Sequence, residues 1–89
     1  MNIPLGRVVG SPAALSALAA AGADVVELLA RHASGDWGDL GADDKRLNDR
    51  AVRDCGRLLS AYKLDGGVKV WIITEADRSA TTVLLPDEY

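Results

Sequence analysis

The sequence predicts an α+β fold, and three observations predict it. Two helix-start signals, Ser11-Pro12 and Asp24, fall in the first third of the chain. Three runs rich in β-branched and apolar residues fall in the last third, parted by turn residues. Helices therefore come first and strands after, without the strand–helix alternation of a parallel α/β sheet. Eighty-nine residues hold one core, so residues 1–89 are expected to form a single domain.

The segment Ile3-Pro4-Leu5-Gly6-Arg7-Val8-Val9 is short and interrupted by proline and glycine, which predicts an arm or an edge strand. Ser11 caps a helix with Pro12 at its first position, and Ala13–Ala21 is alanine-rich until Gly22 stops it. Asp24 caps a second helix, in which Val25, Val26, Leu28, Leu29 and His32 recur at helical spacing up to Gly35. Glycine, aspartate and one tryptophan make Ser34–Gly41 a loop. Asp43 and Asp44 suit the start of a third, mostly solvated helix, whose narrow apolar side is Leu47, Ala51 and Val52. Arg57–Tyr62 and Val68–Thr74 read as strands around the turn Leu64-Asp65-Gly66-Gly67. Glu75–Arg78 is a polar tip, and Ser79–Leu85 is a last strand ending at Pro86. The expected sheet is a three-stranded antiparallel meander packed against two or three short helices. In its middle strand Val68, Val70, Ile72 and Thr74 share one face, and Lys69, Trp71 and Ile73 the other.

Thirteen acidic against ten basic side chains give a net charge of −3, which removes general phosphate attraction and argues against binding duplex DNA. No apolar stretch reaches the roughly 20 residues that cross a bilayer, and no export signal is expected at the N-terminus. A single cysteine closes no internal disulfide, which suits a reducing cytoplasm, and Cys55 is expected to be a buried, inert thiol. No cofactor loop is present: Gly66-Gly67 precedes a strand and lacks the lysine and hydroxyl of a phosphate loop.

Candidate chemistry gathers at few places. His32, the one histidine, is either a general base or a helix-terminal residue placed favourably against the helix dipole. Trp37, between glycines in an acidic loop, is either an interface anchor or a plug folded inward on the sheet. Asp36, Asp39, Asp43 and Asp44 lie within nine positions, yet no EF-hand spacing supports a metal. They read as helix caps or as an acidic patch facing a basic partner, extended by Glu75 and Asp77 at the strand tip.

His32, the Gly35–Leu40 segment GDWGDL, Asp44, Asn48, RLLSAY from Arg57 to Tyr62 and KVWIITEADRSATTVLLPDEY from Lys69 to Tyr89 together resemble small proteins of bacterial plasmids, prophages and integrated elements. The resemblance covers about Arg31–Tyr89 and implies a setting more than a reaction. Accessory proteins of that kind are similar in character to anti-CRISPR and anti-restriction inhibitors. It implies a non-enzymatic protein in the host bacterial cytoplasm that occludes a basic nucleic-acid-binding surface of a host defence complex. Asp36, Trp37, Asp39, Asp43, Asp44, Glu75 and Asp77 would make that contact. A fainter resemblance, in layout, is to barnase-like ribonucleases and toxins. It implies His32 as base, Arg57 and Arg78 as phosphate holders, and Ser79, Thr81 or Thr82 as polar site groups. Self-association is a third expectation, from the smooth alanine-rich helix and an open outer strand.

Overall fold

The structure is a computed structural model describing residues 1–89. Its strands are β1 (Arg7–Gly10), β2 (Leu58–Lys63), β3 (Lys69–Thr74) and β4 (Ala80–Leu84). Its helices are α1 (Pro12–Ala20), α2 (Val25–Ala33) and α3 (Ala42–Asp54), and a single 3₁₀ turn covers Pro86–Glu88. The α+β class holds. The sheet, however, has four strands in the order β1-β4-β3-β2, with β1 parallel to β4 and the other pairs antiparallel. The expected meander is present, and the N-terminal arm joins it as an edge strand, with Val8 opposite Thr81 and Val9 opposite Thr82.

The caps form where the side-chain chemistry favours them. Ser11 Oγ accepts from the amide of Ala14, and Asp24 Oδ1 from that of Val26, so each helix start satisfies an otherwise orphaned donor. Gly22, at φ +67°, lets the chain turn 108° between the axes of α1 and α2. This corner lies over the inner face of the sheet. Ala14, Leu18 and Leu28 meet Tyr62, Leu64, Val70, Ile72 and Val83 there. A smaller cluster of Ile3, Trp37 and Leu58, bordered by Leu40, Ala51 and Val52, joins α3 to the start of β2.

Two expectations need correction. Leu47 is exposed, and the inward residue of α3 is Asn48, because a buried amide has backbone partners on β2 that leucine cannot serve. Cys55 is exposed, since it ends α3 in the left-handed conformation (φ 56°). No single helix is long and apolar enough to cross a membrane.

Candidate functional site

His32 lies in the last turn of α2, where the amphipathic spacing that buries Leu28 also turns the imidazole onto the sheet. The ring is fully buried (0% exposed), not at a solvated helix end. Its Nδ1 is 2.6 Å from Ser60 Oγ on β2, and its Nε2 is 2.8 Å from Thr74 Oγ1 on β3. Thr74 Oγ1 is in turn 2.8 Å from Thr81 Oγ1 on β4, which donates to the carbonyl of Leu5 at 2.7 Å. That carbonyl only accepts, so the protons have one order. Thr81 donates to Leu5, Thr74 to Thr81, and His32 Nε2–H to Thr74. Burial disfavours a second proton on the ring, so Nδ1 accepts from Ser60 and the imidazole is neutral, with every group in the chain satisfied. Desolvation, with a smaller contribution from the charge of Arg78, lowers the His32 pKa to about 4. Sequence spacing alone does not pair His32 with Ser60, Thr74 and Thr81, which lie 28 to 49 residues away. The available signal was a hydroxyl at an inward-facing position of each of three successive strands.

The Gly35–Leu40 loop serves the edge of the sheet. Trp37 is the inward plug: it is 3% exposed, meets the His32 ring edge-on at 5.8 Å and donates its Nε1–H to Asp49 Oδ1 at 2.9 Å. It does not stand out as an anchor, because an apolar slot between α3 and β2 is vacant without it. Gly38 forms a parallel bridge with Ala61, whose amide donates to Trp37 O and whose carbonyl accepts from Asp39 N–H. Asp39 Oδ2 accepts from the amide of Lys63 at 2.7 Å, and the Asn48 amide pairs with both the N–H and the C=O of Leu59. Thus Leu59, Ala61 and Lys63, the β2 residues whose amides point away from β3, all find donors or acceptors within the chain.

Most of the expected acidic patch is likewise engaged within the molecule. Asp36 pairs with Arg31 at 2.7 Å and accepts from Gly38 N–H; its pKa is lowered chiefly by the Arg31 hydrogen bond. Asp43 pairs with Arg46, Glu75 lies 3.7 Å from Arg57, and Asp77 accepts from the amide of Ser79. Asp44 stays exposed on the first turn of α3.

Of the residues of the ribonuclease reading, only Thr81 joins His32, through Thr74 in the buried relay. His32 faces the inner side of the sheet, whereas Thr82, beside Ile73 in register, faces the outer side. Arg78 is turned to the end of α3, where its guanidinium donates to the carbonyls of Gly56, Glu75, Ala76 and Ala51. Arg57 lies on the outer side and donates to the Tyr89 hydroxyl.

That outer side carries no helix. Arg57, Leu59, Trp71, Ile73 and Tyr89 line a recess of about 300 Å³ on it. Trp71 and Tyr89 meet edge-to-face at 5.8 Å, and Tyr89 is 63% exposed. The 3₁₀ turn beginning at Pro86 folds the tail back onto the sheet, which composition alone did not reveal. A second, more polar recess of about 260 Å³ lies between the α1–α2 corner and the β2–β3 turn. Comparison with protein-family models, with curated proteins and with solved structures found no match to this chain.

Proposed function

We propose that this chain is a non-enzymatic binding protein that covers a basic nucleic-acid-binding surface on a host defence complex, the role implied by its resemblance to mobile-element proteins. We place the contact on the outer face of the sheet, not in the Gly35–Leu40 loop. The observation that carries this reading is the recess of Arg57, Leu59, Trp71, Ile73 and Tyr89 on a helix-free face. Solvent-facing aromatic rings beside an arginine are the composition of interface hot spots. Glu75, next to Arg57, and Asp87, two residues before Tyr89, supply acids beside it for a basic partner. An apolar or aromatic side chain of the partner would seat between Trp71 and Tyr89.

His32 supports the non-enzymatic reading by its position. A general base needs contact with the proton it removes, and this imidazole has no solvent access and both nitrogens in hydrogen bonds. The test is affinity capture of the tagged protein from host lysate containing active defence complexes, with nuclease treatment and mass spectrometry. One stoichiometric nucleic-acid-handling complex that survives the nuclease is expected. Its capture should be lost by a Tyr89→Ala, Arg57→Ala double variant and kept by Asp36→Asn. Equal capture by a folded double variant would overturn the assignment of the recess. Phosphodiester cleavage by pure wild-type protein that disappears in His32→Ala would overturn the non-enzymatic reading.

A further inference from the structure

We infer that β1 is a self-association edge, at which two copies of this chain pair antiparallel about Val9 and join their sheets into one. The inference is independent of the outer recess and rests on the contrast between the two edges of the sheet. The outward amides and carbonyls of Leu59 and Ala61 on β2 are all bonded within the chain, as is the amide of Lys63. On β1, Arg7 and Ser11 donate to Ser79 O and Val83 O of the neighbouring strand. By strand alternation, the N–H and C=O of Val8 and Gly10 point away from the sheet. All four residues of β1 are exposed.

These groups fit a second copy in one register. With Val9 opposite its own equivalent, Val8 faces Gly10 of the other copy on both sides of a twofold axis. Each such pair exchanges two hydrogen bonds, so the four outward groups of each strand are satisfied together. The side chains agree with this register on both faces. Gly10 lies against Leu15, whose side chain is 3.1–3.4 Å from where a Cβ would stand. Val8, opposite Gly10 in the second copy, therefore reaches that copy's Leu15. Val8 and Leu15 are each 45% exposed and Val9 40%, so this seam covers three of the exposed large hydrophobic residues.

Charge is complementary in the same register. Arg7 falls opposite Ser11 of the other copy, and Ser11 Oγ donates to Glu88 Oε1 at 2.7 Å. Arg7 is exposed and belongs to no ion pair of its own chain. Arg7, Val9 and Ser11 share the outer face by alternation, so each Arg7 meets the Glu88 carboxylate of the other copy, twice per dimer.

Sedimentation equilibrium over a concentration series up to millimolar tests the association, and cysteine cross-linking tests the register. The mass should rise from 9.4 kDa toward twice that value. Val9→Lys, which sets two charges against each other, should hold it at the monomer with unchanged circular dichroism. Arg7→Glu should weaken the dimer. In a Cys55→Ser background, Val9→Cys should form an intermolecular disulfide under mild oxidation, since a non-hydrogen-bonded antiparallel pair places its Cα atoms about 4.5 Å apart. Val26→Cys, exposed on α2, should not. A constant monomer mass overturns the inference and leaves the edge to a strand of another protein. A dimer untouched by Val9→Lys, or equal cross-linking through residues 9 and 26, overturns it as well.

Discussion

His32 Nε2 donates to Thr74 Oγ1 across 2.8 Å with both residues fully buried, and this bond fixes which nitrogen of the only imidazole carries the proton. The relay from Ser60 to Leu5 ties α2, three strands and the N-terminal arm into one polar line. Such a line is fully satisfied only in one arrangement of those five segments, so it favours that arrangement over other apolar packings.

The first consequence is a pH dependence with a defined window. The folded state lowers the His32 pKa to about 4, below the ordinary value of 6.5, so the unfolded chain takes up a proton that the folded chain refuses. Stability contributed by the neutral ring is complete above pH 6.5, falls as pH drops, and is gone below about 4, a loss of about 3 kcal/mol. Urea unfolding at pH 7 and pH 5 should show it, and His32→Gln should flatten the difference. An equal slope in the variant would assign the effect elsewhere.

Thr74 is the middle of the relay, and its hydroxyl matters more than its methyl. Thr74→Val leaves a buried imidazole N–H without an acceptor and should cost about 2 kcal/mol. Thr74→Ser keeps the hydroxyl and should cost about 1 kcal/mol, the price of one buried methyl group. Equilibrium unfolding of the pair checks the order, and imidazole nitrogen shifts should report the Nε2–H form in wild type and Ser alike.

Asn48 acts as a side-chain peptide unit for Leu59. Asn48→Ala removes both bonds and should lower stability by about 2 kcal/mol. Asn48→Asp removes the donor and sets a carboxylate against the Leu59 carbonyl, so it should be no milder. Hydrogen exchange should accelerate at the Leu59 amide while amides between β3 and β4 stay protected.

Two glycines with similar dihedral angles should respond very differently to alanine. At Gly38 (φ +75°) a Cβ would stand 2.1 Å from the Ala61 carbonyl oxygen and under 3 Å from the Tyr62 ring. Gly38→Ala should cost more than about 3 kcal/mol, because the loop must leave β2. At Gly22 (φ +67°) nothing lies within 4 Å of a Cβ, and Gly22→Ala should cost only about 1 kcal/mol of left-handed strain. Thermal melts of both variants make the comparison.

The helix starts were legible because Ser11, Pro12 and Asp24 act on their own neighbours, and caps are local chemistry. The hairpin at Leu64–Gly67 was legible for the same reason: Gly66 and Gly67 take the positive φ that the turn requires. Pairing between distant segments was not. Nothing in Arg7–Gly10 says that its neighbour lies over 70 residues away on β4, or that it runs parallel. Asn48 reads as one polar residue in a polar helix until the edge of β2 supplies its two partners. Trp37 illustrates the middle case, since its neighbours told of a loop but left open whether the ring anchors a partner or packs inward. The slot that receives it is made by Ile3, Leu58 and α3, which come together only in the folded chain. The acids around it looked like one surface because they are close in sequence. In space Asp36, Asp39 and Asp43 serve three different local bonds.

The closed β2 edge sets a limit on growth. A sheet with two free edges is divalent and can add molecules without end, as fibrils do. Here Trp37, Asp39 and Asn48 terminate one edge from within the same molecule, leaving a valence of one at β1. Any strand that docks there uses up the remaining site. Assembly through this sheet is therefore self-terminating: it makes a finite particle, whatever the concentration, and gives no template for a filament.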